Sequence, residues 1–244
     1  MQTIKLYLFI LFFPGVLLAQ PSGNEILDRI DKNMSSDTRH VISKMVIRGV
    51  RTDRTIEAES WSVGDEKSYT EYLAPAREKG TKMLKLEDKL WIYSPGTDRT
   101  IQISGHMLRQ SLMGSDLSYE DMMDDPNLQS KYDAVVTGSE TLHGIECWIL
   151  ELTANSPDVT YRMRKIWVDK SRYVPLQEEM YAKSGTLLKK TEMTDIKKVG
   201  NRWYPEKIIF RDMLKKGEGT EFIVEKIEFD VEVQEHLLSK AALR

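Results

Sequence analysis

The chain has 244 residues, 35 Lys+Arg against 38 Asp+Glu and a formal charge of −3, a balance that excludes a general nucleic-acid binder working through a basic surface. At 41% apolar and 30% charged it is neither a disordered chain nor a multi-span membrane protein. One cysteine, Cys147, leaves no partner for an intramolecular disulfide and no four-cysteine zinc site, so stability must come from the core.

Residues 1–19 carry a single charge, Lys5, ahead of the apolar run Leu6 to Leu18, and Ala19 offers a small residue at a cleavage point. These are the elements of a secretory signal, cut after Ala19 to leave one exported domain, 20–244. Leu17 stands where a small residue is usual, which leaves an uncleaved anchor as the alternative, although the run is short of the roughly 20 residues a span needs. Cys147 in Ile145-Glu146-Cys147-Trp148-Ile149-Leu150 reads as a small buried apolar group, with a reactive thiol as its alternative.

The exported chain opens with a helix over Asn24 to Asn33, where Ile26, Leu27 and Ile30 share a face and Asn24 can cap. Thereafter the period is two. Alternating runs occupy His40 to Val50, Thr55 to Val63, Ser68 to Leu73, Thr81 to Leu86, Leu90 to Tyr93 and Thr100 to Ile103. They resume at Tyr132 to Thr137, Ile145 to Thr153, Tyr161 to Asp169, Val174 to Tyr181, Thr186 to Val199 and Tyr204 to Met213. The clearest is Lys226 to Val233, with Lys226, Glu228, Asp230 and Glu232 on one side and Ile227, Phe229, Val231 and Val233 on the other. Gly-, Pro-, Asn- and Asp-rich turns separate these runs, so neighbouring strands should be antiparallel and form one curved sheet. No strand is followed by a helix long enough for a parallel crossover, and neither a dinucleotide fingerprint nor a P-loop occurs.

Ser104 to Pro126 breaks the pattern. Leu108, Leu112 and Met113 have helical spacing and Gly114 supplies a stop; Ser118-Tyr119-Glu120-Asp121 is a capped start for a second short helix. Met107, Met113, Met122 and Met123 crowd this stretch, four of the chain's 12 methionines, and methionine is the side chain that packs irregular or changing surfaces.

At Met113-Gly114-Ser115-Asp116-Leu117-Ser118-Tyr119-Glu120-Asp121-Met122 the chain resembles the LolA-like family of periplasmic outer-membrane lipoprotein-sorting proteins. Leu90-Trp91-Ile92-Tyr93-Ser94-Pro95, Ile166-Trp167-Val168-Asp169, Val174-Pro175-Leu176 and Arg202-Trp203-Tyr204-Pro205 extend the resemblance over most of the exported chain. The resemblance implies a mainly β fold, an unclosed antiparallel half-barrel of about eleven strands with short helices over its concave face. It further implies a non-enzymatic periplasmic carrier that binds lipid or lipoprotein acyl chains and moves them toward the outer membrane, loaded and unloaded by inner- and outer-membrane transport proteins, with no cofactor. The alternative is a periplasmic sensor or adaptor that uses the same fold to bind a membrane-anchored protein. Arg109 lies in the segment where the family's carrier has its lid, but no motif aligns it with that carrier's lid-locking arginine.

Burying a sixteen-carbon chain is worth on the order of 10 kcal/mol, at about 0.8 kcal/mol per methylene, so a carrier must cover it with apolar surface and still release it. The expected lining is Met107, Leu108, Leu112, Met113, Leu117, Tyr119 and Met122 from the irregular segment, facing Trp91, Ile101 and Ile103 from adjacent strands; ordinary core packing is the competing explanation for each.

Other constellations are weaker. His40, His106, His143 and His236 lack zinc spacing, His143 with Cys147 being the nearest approach. Ser111 and Ser115 lie near His106 without a nucleophile elbow. Asp116, Glu120, Asp121, Asp124 and Asp125 read as helix-start acids on a solvated face, with partner docking as the alternative. Lys189-Lys190, Lys197-Lys198 and Lys215-Lys216 read as guards of exposed strand edges, with lipid headgroups as the alternative.

Overall fold

The computed structural model describes residues 20–49, 52–123, 127–157 and 159–244. The expected signal segment, together with Asp124, Asp125 and Pro126, lies outside the described residues.

Helix α1 spans Gly23–Met34. Ser22, rather than Asn24, caps it: Ser22 Oγ accepts from the Glu25 N–H (3.2 Å) while Glu25 accepts from the Ser22 N–H (2.7 Å). Asn24 instead accepts the Ala134 N–H (3.0 Å) and so ties the helix to the sheet. Ile26, Leu27 and Ile30 are fully or almost fully buried, each burial worth about 1.5–3 kcal/mol. The close approach is made possible by Gly23, where a Cβ would lie 2.2 Å from the Ala134 carbonyl oxygen. Gly23→Ala is expected to cost about 1–3 kcal/mol by overpacking, read as a lowered urea midpoint with an unchanged slope.

Six strands follow: β1 (Thr38–Ile47), β2 (Arg54–Val63), β3 (Lys67–Ala74), β4 (Lys82–Leu86), β5 (Lys89–Ser94) and β6 (Arg99–Ile103). Seven more come after the irregular segment: β7 (Tyr132–Leu142), β8 (Ile145–Ala154), β9 (Met163–Asp169), β10 (Pro175–Tyr181), β11 (Leu187–Val199), β12 (Arg202–Asp212) and β13 (Thr220–Phe229). Every predicted alternating run is therefore a strand, and the family count of about eleven rises to thirteen. All pair antiparallel in the order β6-β5-β4-β3-β2-β1-β13-β12-β11-β10-β9-β8-β7. The first six strands meander outward from β1, the last seven return from the far edge, and β13 closes onto β1. Because β6 and β7 are the two ends of this order, the half-barrel stays open, and residues 104–131 must cross from one edge to the other.

Pairing register identifies the concave face, since residues opposite one another point the same way. One row across eight neighbouring strands, from β8 to β2, runs Leu150, Ile166, Glu178, Thr191, Phe210, Thr220, Ile47 and Arg54. On this face α1 covers an apolar cluster of β7 to β9 that includes Tyr132, Leu150, Leu152, Ile166 and Val168. The reverse face carries Trp61, Tyr69, Leu84 and Trp91, sealed by two C-terminal 3-10 turns, Glu235–Leu238 and Lys240–Leu243, with Leu243 fully buried.

The last predicted strand shifts. Alternation suggested Lys226 to Val233, whereas β13 begins at Thr220 and ends where Asp230 takes a left-handed φ of 58°. A bulge opposite Ile42 and Ser43 inserts Glu225, so Val224 and Ile227 share one buried cluster despite their odd spacing. The lysine pairs guard no edge: Lys189, Lys190, Lys197 and Lys198 all lie on β11, which is flanked by β10 and β12, and Lys215 and Lys216 lie in the turn between β12 and β13.

Candidate functional site: an apolar trough under a latched crossover

The concave face of β1 to β6 is apolar. Met45, Ile56, Ala58, Tyr72, Met83, Leu90 and Ile103 form a buried cluster, with Ile47, Ile92, Phe210 and Phe222 packed at its margin. Among the described residues, the crossover covers it. In place of the expected helix, residues 105–119 form a 3-10 turn (Gly105–Arg109), an extended step at Gln110 and Ser111, and a second 3-10 turn (Leu112–Gly114). Met113 and Gly114 both take left-handed φ angles, 49° and 77°, which turns the chain back on itself. The returning limb pairs with the outgoing one: the Leu112 N–H donates to the Leu117 carbonyl (2.8 Å) and the Tyr119 N–H to the Gln110 carbonyl (3.2 Å). Ser115 Oγ, buried, donates to the Leu112 carbonyl (2.7 Å) and holds the tip. Helix α2 (Tyr119–Met123) then begins at a reciprocal cap, Ser118 accepting from the Asp121 N–H (3.1 Å) and Asp121 from the Ser118 N–H (2.6 Å).

This loop presses Leu112 and Leu117, 3% and 6% exposed, into the trough, and Met107, Leu108, Met113, Tyr119 and Met122 lie half-buried around them. Ile103 joins the same cluster. Two of the expected lining residues do not. Trp91 belongs to the reverse face, beneath Leu243 and with Lys240 over its ring at 4.2 Å; Leu90 and Ile92, its neighbours, face the trough instead. Ile101 has the trough-facing parity, opposite Ile92, but sits on edge strand β6 and is 49% exposed. Tyr72, Met83, Ile56 and Phe222 are trough residues that sequence reasoning did not single out.

Polar contacts fasten the loop around its rim. Asp116 Oδ2 accepts from Thr220 Oγ1 (2.7 Å), Asp116 Oδ1 accepts from the Asp212 N–H (3.1 Å), and the Asp116 N–H donates to Thr220 Oγ1 (3.0 Å). Asp121 receives the Tyr161 hydroxyl (2.5 Å) and the Lys189 ammonium (3.0 Å), and Lys189 donates also to the Asp116 carbonyl. Arg54 donates to the Met113 carbonyl, Lys215 to Ser111 Oγ (2.6 Å) and the Ser115 carbonyl (3.1 Å), and Lys85 to the Met123 carbonyl (3.0 Å). Asp116 and Asp121 are thus half-buried fasteners and not a solvated face, which corrects the sequence reading. Burial alone would raise the Asp121 pKa, but Lys189, Tyr161 and the Ser118 N–H outweigh it and hold the carboxyl below the usual range.

With the loop in place, the cavity between it and the sheet is about 50 Å³, lined by Met45, Ile56, Ala58, Tyr72, Leu112, Leu117, Met122 and Phe222 with Ser43, Ser60 and Thr70. That is room for one or two waters, at about 30 Å³ each. A drug-sized ligand needs roughly 300–1,000 Å³. With the loop in place, the trough has no room for a ligand of that size.

The nucleophile candidates are spent elsewhere: Ser115 Oγ and Ser111 Oγ bond within the cover and to Lys215, and His106 is exposed. Among the described residues no group of three His, Cys, Asp or Glu side chains could hold a metal ion. Cys147 is fully buried against Trp167 and Leu176 and has a raised pKa, chiefly from burial. Among the described residues no helix is long and apolar enough to cross a membrane.

No curated protein matches the sequence. A DUF1329 family protein from Desulfovibrio piger has a similar structure at 25% identity and a TM-score of 0.81, covering 91% of this chain and 98% of that one. A putative outer membrane lipoprotein-sorting protein domain from Vibrio parahaemolyticus matches at 23% identity and 0.77, covering 91% and 97%. A LolA superfamily protein from Nitrosomonas europaea matches at 24% and 0.76, covering 91% of this chain and all (100%) of its own. The family model that matches residues 64–244 is described as "-like: Uncharacterized protein". That match spans most of the thirteen-stranded sheet, and the chain belongs to this family, whose fold is LolA-like.

Proposed function

We propose that this chain is a periplasmic carrier, exported as a single domain, 20–244, after cleavage behind Ala19, that binds lipid or lipoprotein acyl chains on the trough of β1 to β6 and moves them toward the outer membrane without covalent chemistry. The observation that carries this reading is the construction of the cover. Its apolar inserts, Leu112 and Leu117, lie where an acyl chain would lie, while side-chain contacts around its rim, and no strand ladder among the described residues, hold it to the barrel. Such a cover can exchange its own apolar groups for those of a cargo, and the methionines Met107, Met113 and Met122 suit a surface that must repack. The printed description of the Vibrio parahaemolyticus structure, a lipoprotein-sorting domain, points the same way. Loading and receiving would fall to inner- and outer-membrane transport proteins.

The test is native mass spectrometry of the protein purified from a periplasm, followed by solvent extraction and lipid identification. A discrete excess mass resolving to one lipid class is expected, and it should fall at least tenfold in Met122→Glu, which puts a charge at the cavity wall, but not in Ile101→Glu on the exposed edge. A clean apo mass, under conditions where a known lipid binder keeps its ligand, would overturn the carrier and favour the adaptor, whose partner would be a membrane-anchored protein.

A further inference from the structure

The turn between β12 and β13 projects Met213 and Leu214, 44% and 71% exposed, at one end of the half-barrel. Leu214 is the most exposed of the chain's large apolar side chains among the described residues. Lys215 and Lys216 follow directly, and Lys183 is exposed in the adjacent turn between β10 and β11, held alongside by the Met213 N–H on the Leu188 carbonyl (2.9 Å). Lys215 is committed to the cover, but Lys183 and Lys216 make no ion pair among the described residues. Glu218 is the acid in this pair of turns.

The opposite end of the barrel has the opposite character. Its turns expose Glu66, Glu87, Asp88, Asp230 and Glu232, which outnumber the exposed lysines beside them, Lys67, Lys89 and Lys198, while Arg172 is engaged with Asp169 and Lys170 with Glu146. The molecule is therefore polar along the strand direction, basic and apolar-tipped at one end and acidic at the other. A cleft of about 160 Å³ leads from Leu214 and Lys215 past Leu188 to Leu117 of the cover, so the tip stands at the mouth of the trough.

We infer that this tip docks the protein on an anionic phospholipid bilayer, Met213 and Leu214 entering the headgroup region while Lys183 and Lys216 meet lipid phosphates. An exposed apolar pair beside unpaired cations fits an interface in which apolar and negatively charged groups alternate in depth, and the acidic end is repelled by the same surface. Docking in this orientation sets the cleft mouth against the lipid. The inference stands apart from the carrier reading, because surface docking is measured on vesicles whether or not lipid co-purifies.

A fluorophore sensitive to polarity, attached at Leu214→Cys, tests it; Cys147 is fully buried and stays unlabelled. Vesicles of phosphatidylglycerol and phosphatidylethanolamine should shift its emission to the blue, phosphatidylcholine vesicles should not, and added salt should weaken the response. The same label at Asp88→Cys should stay unchanged. Co-sedimentation of unlabelled protein with the anionic vesicles should fall at least tenfold in Lys183→Glu/Lys216→Glu and in Met213→Ser/Leu214→Ser, exposed changes that leave the core intact. An equal response at both labels, binding indifferent to anionic lipid or to these substitutions, or binding only when a membrane protein is reconstituted, would overturn the inference, the last in favour of a protein dock.

Discussion

Asp121→Ala is expected to loosen the crossover and to destabilise the protein by about 3 kcal/mol. Asp121 and Lys189 are 15% and 14% exposed, and removing one member of a buried pair leaves the other charge uncompensated, typically at about 3–5 kcal/mol. The lower end applies because Lys189 still donates to the Asp116 carbonyl. The same change removes the acceptor of the Tyr161 hydroxyl and one half of the α2 cap. Amide hydrogens of 110–119 should exchange far faster in the variant, while those of β8 and β9 shift only by the global change. Lys189→Met added to Asp121→Ala should restore much of the stability but not the protection of the loop, which separates the stranded charge from the lost fastener. The pH dependence has a definite sign. Asp121 has a lowered folded-state pKa, so its contribution is complete above the unfolded value of about 3.9 and is lost as pH falls through the folded value. The gap in stability between wild type and Asp121→Ala should therefore narrow in acid; a gap constant from neutral pH down to pH 2 would show that the carboxylate is not the fastener.

How much of this was legible depends on what each residue's pattern encodes. Alternation marked the strands that have one buried and one wet face, as at Ile227 and Phe229 against Lys226 and Glu228. It failed where both faces are covered. In Leu90-Trp91-Ile92-Tyr93 every residue is apolar, since Leu90 and Ile92 meet the trough while Trp91 and Tyr93 lie under the C-terminal turns, so parity could not say which side Trp91 takes. The extra residue Glu225 hid the first half of β13 for a related reason, by changing the phase within the strand. The crossover was legible as apolar and Met-rich, and its leucines do enter the trough. Its shape was not, because helical spacing at Leu108, Leu112 and Met113 is also the spacing of successive inward-facing residues on two short turns separated by an extended step. The fasteners were hidden most deeply. Asp116 and Asp121 carry the composition of a solvated helix start, and nothing local reveals that Thr220, Lys189 and Tyr161, on β13, on β11 and before β9, arrive to bind them.

Glu178→Ala should be the most damaging single substitution, costing about 4 kcal/mol. Arg164 and Glu178 form an ion pair at 3.0 Å with side chains only 6% and 10% exposed, on the concave face between the cluster under α1 and the trough under the crossover. The Arg164 guanidinium also lies over the rings of Tyr132 (4.9 Å) and Tyr161 (5.4 Å), so its position is set by packing as well as by charge. Removing the carboxylate takes a 3.0 Å partner from a buried guanidinium that is always charged, a loss that protonation cannot relieve. Replacing both members, as Arg164→Met/Glu178→Leu, trades the pair for apolar groups of similar bulk and should cost less than Glu178→Ala alone. Urea unfolding of Arg164→Met, Glu178→Leu and the double variant gives the coupling directly: the double variant should cost much less than the two single variants added together, and simple additivity would mean that the pair contributes no more than its separate packing. The pair also bears on cargo. On the proposed carrier reading, a charged pair on the floor between the two apolar clusters is a poor path for an acyl chain and would bar it from passing the Tyr132, Arg164 and Glu178 seam. In Arg164→Met/Glu178→Leu that seam becomes apolar, and the lipid extracted from the variant should extend to longer acyl chains than the lipid extracted from wild type.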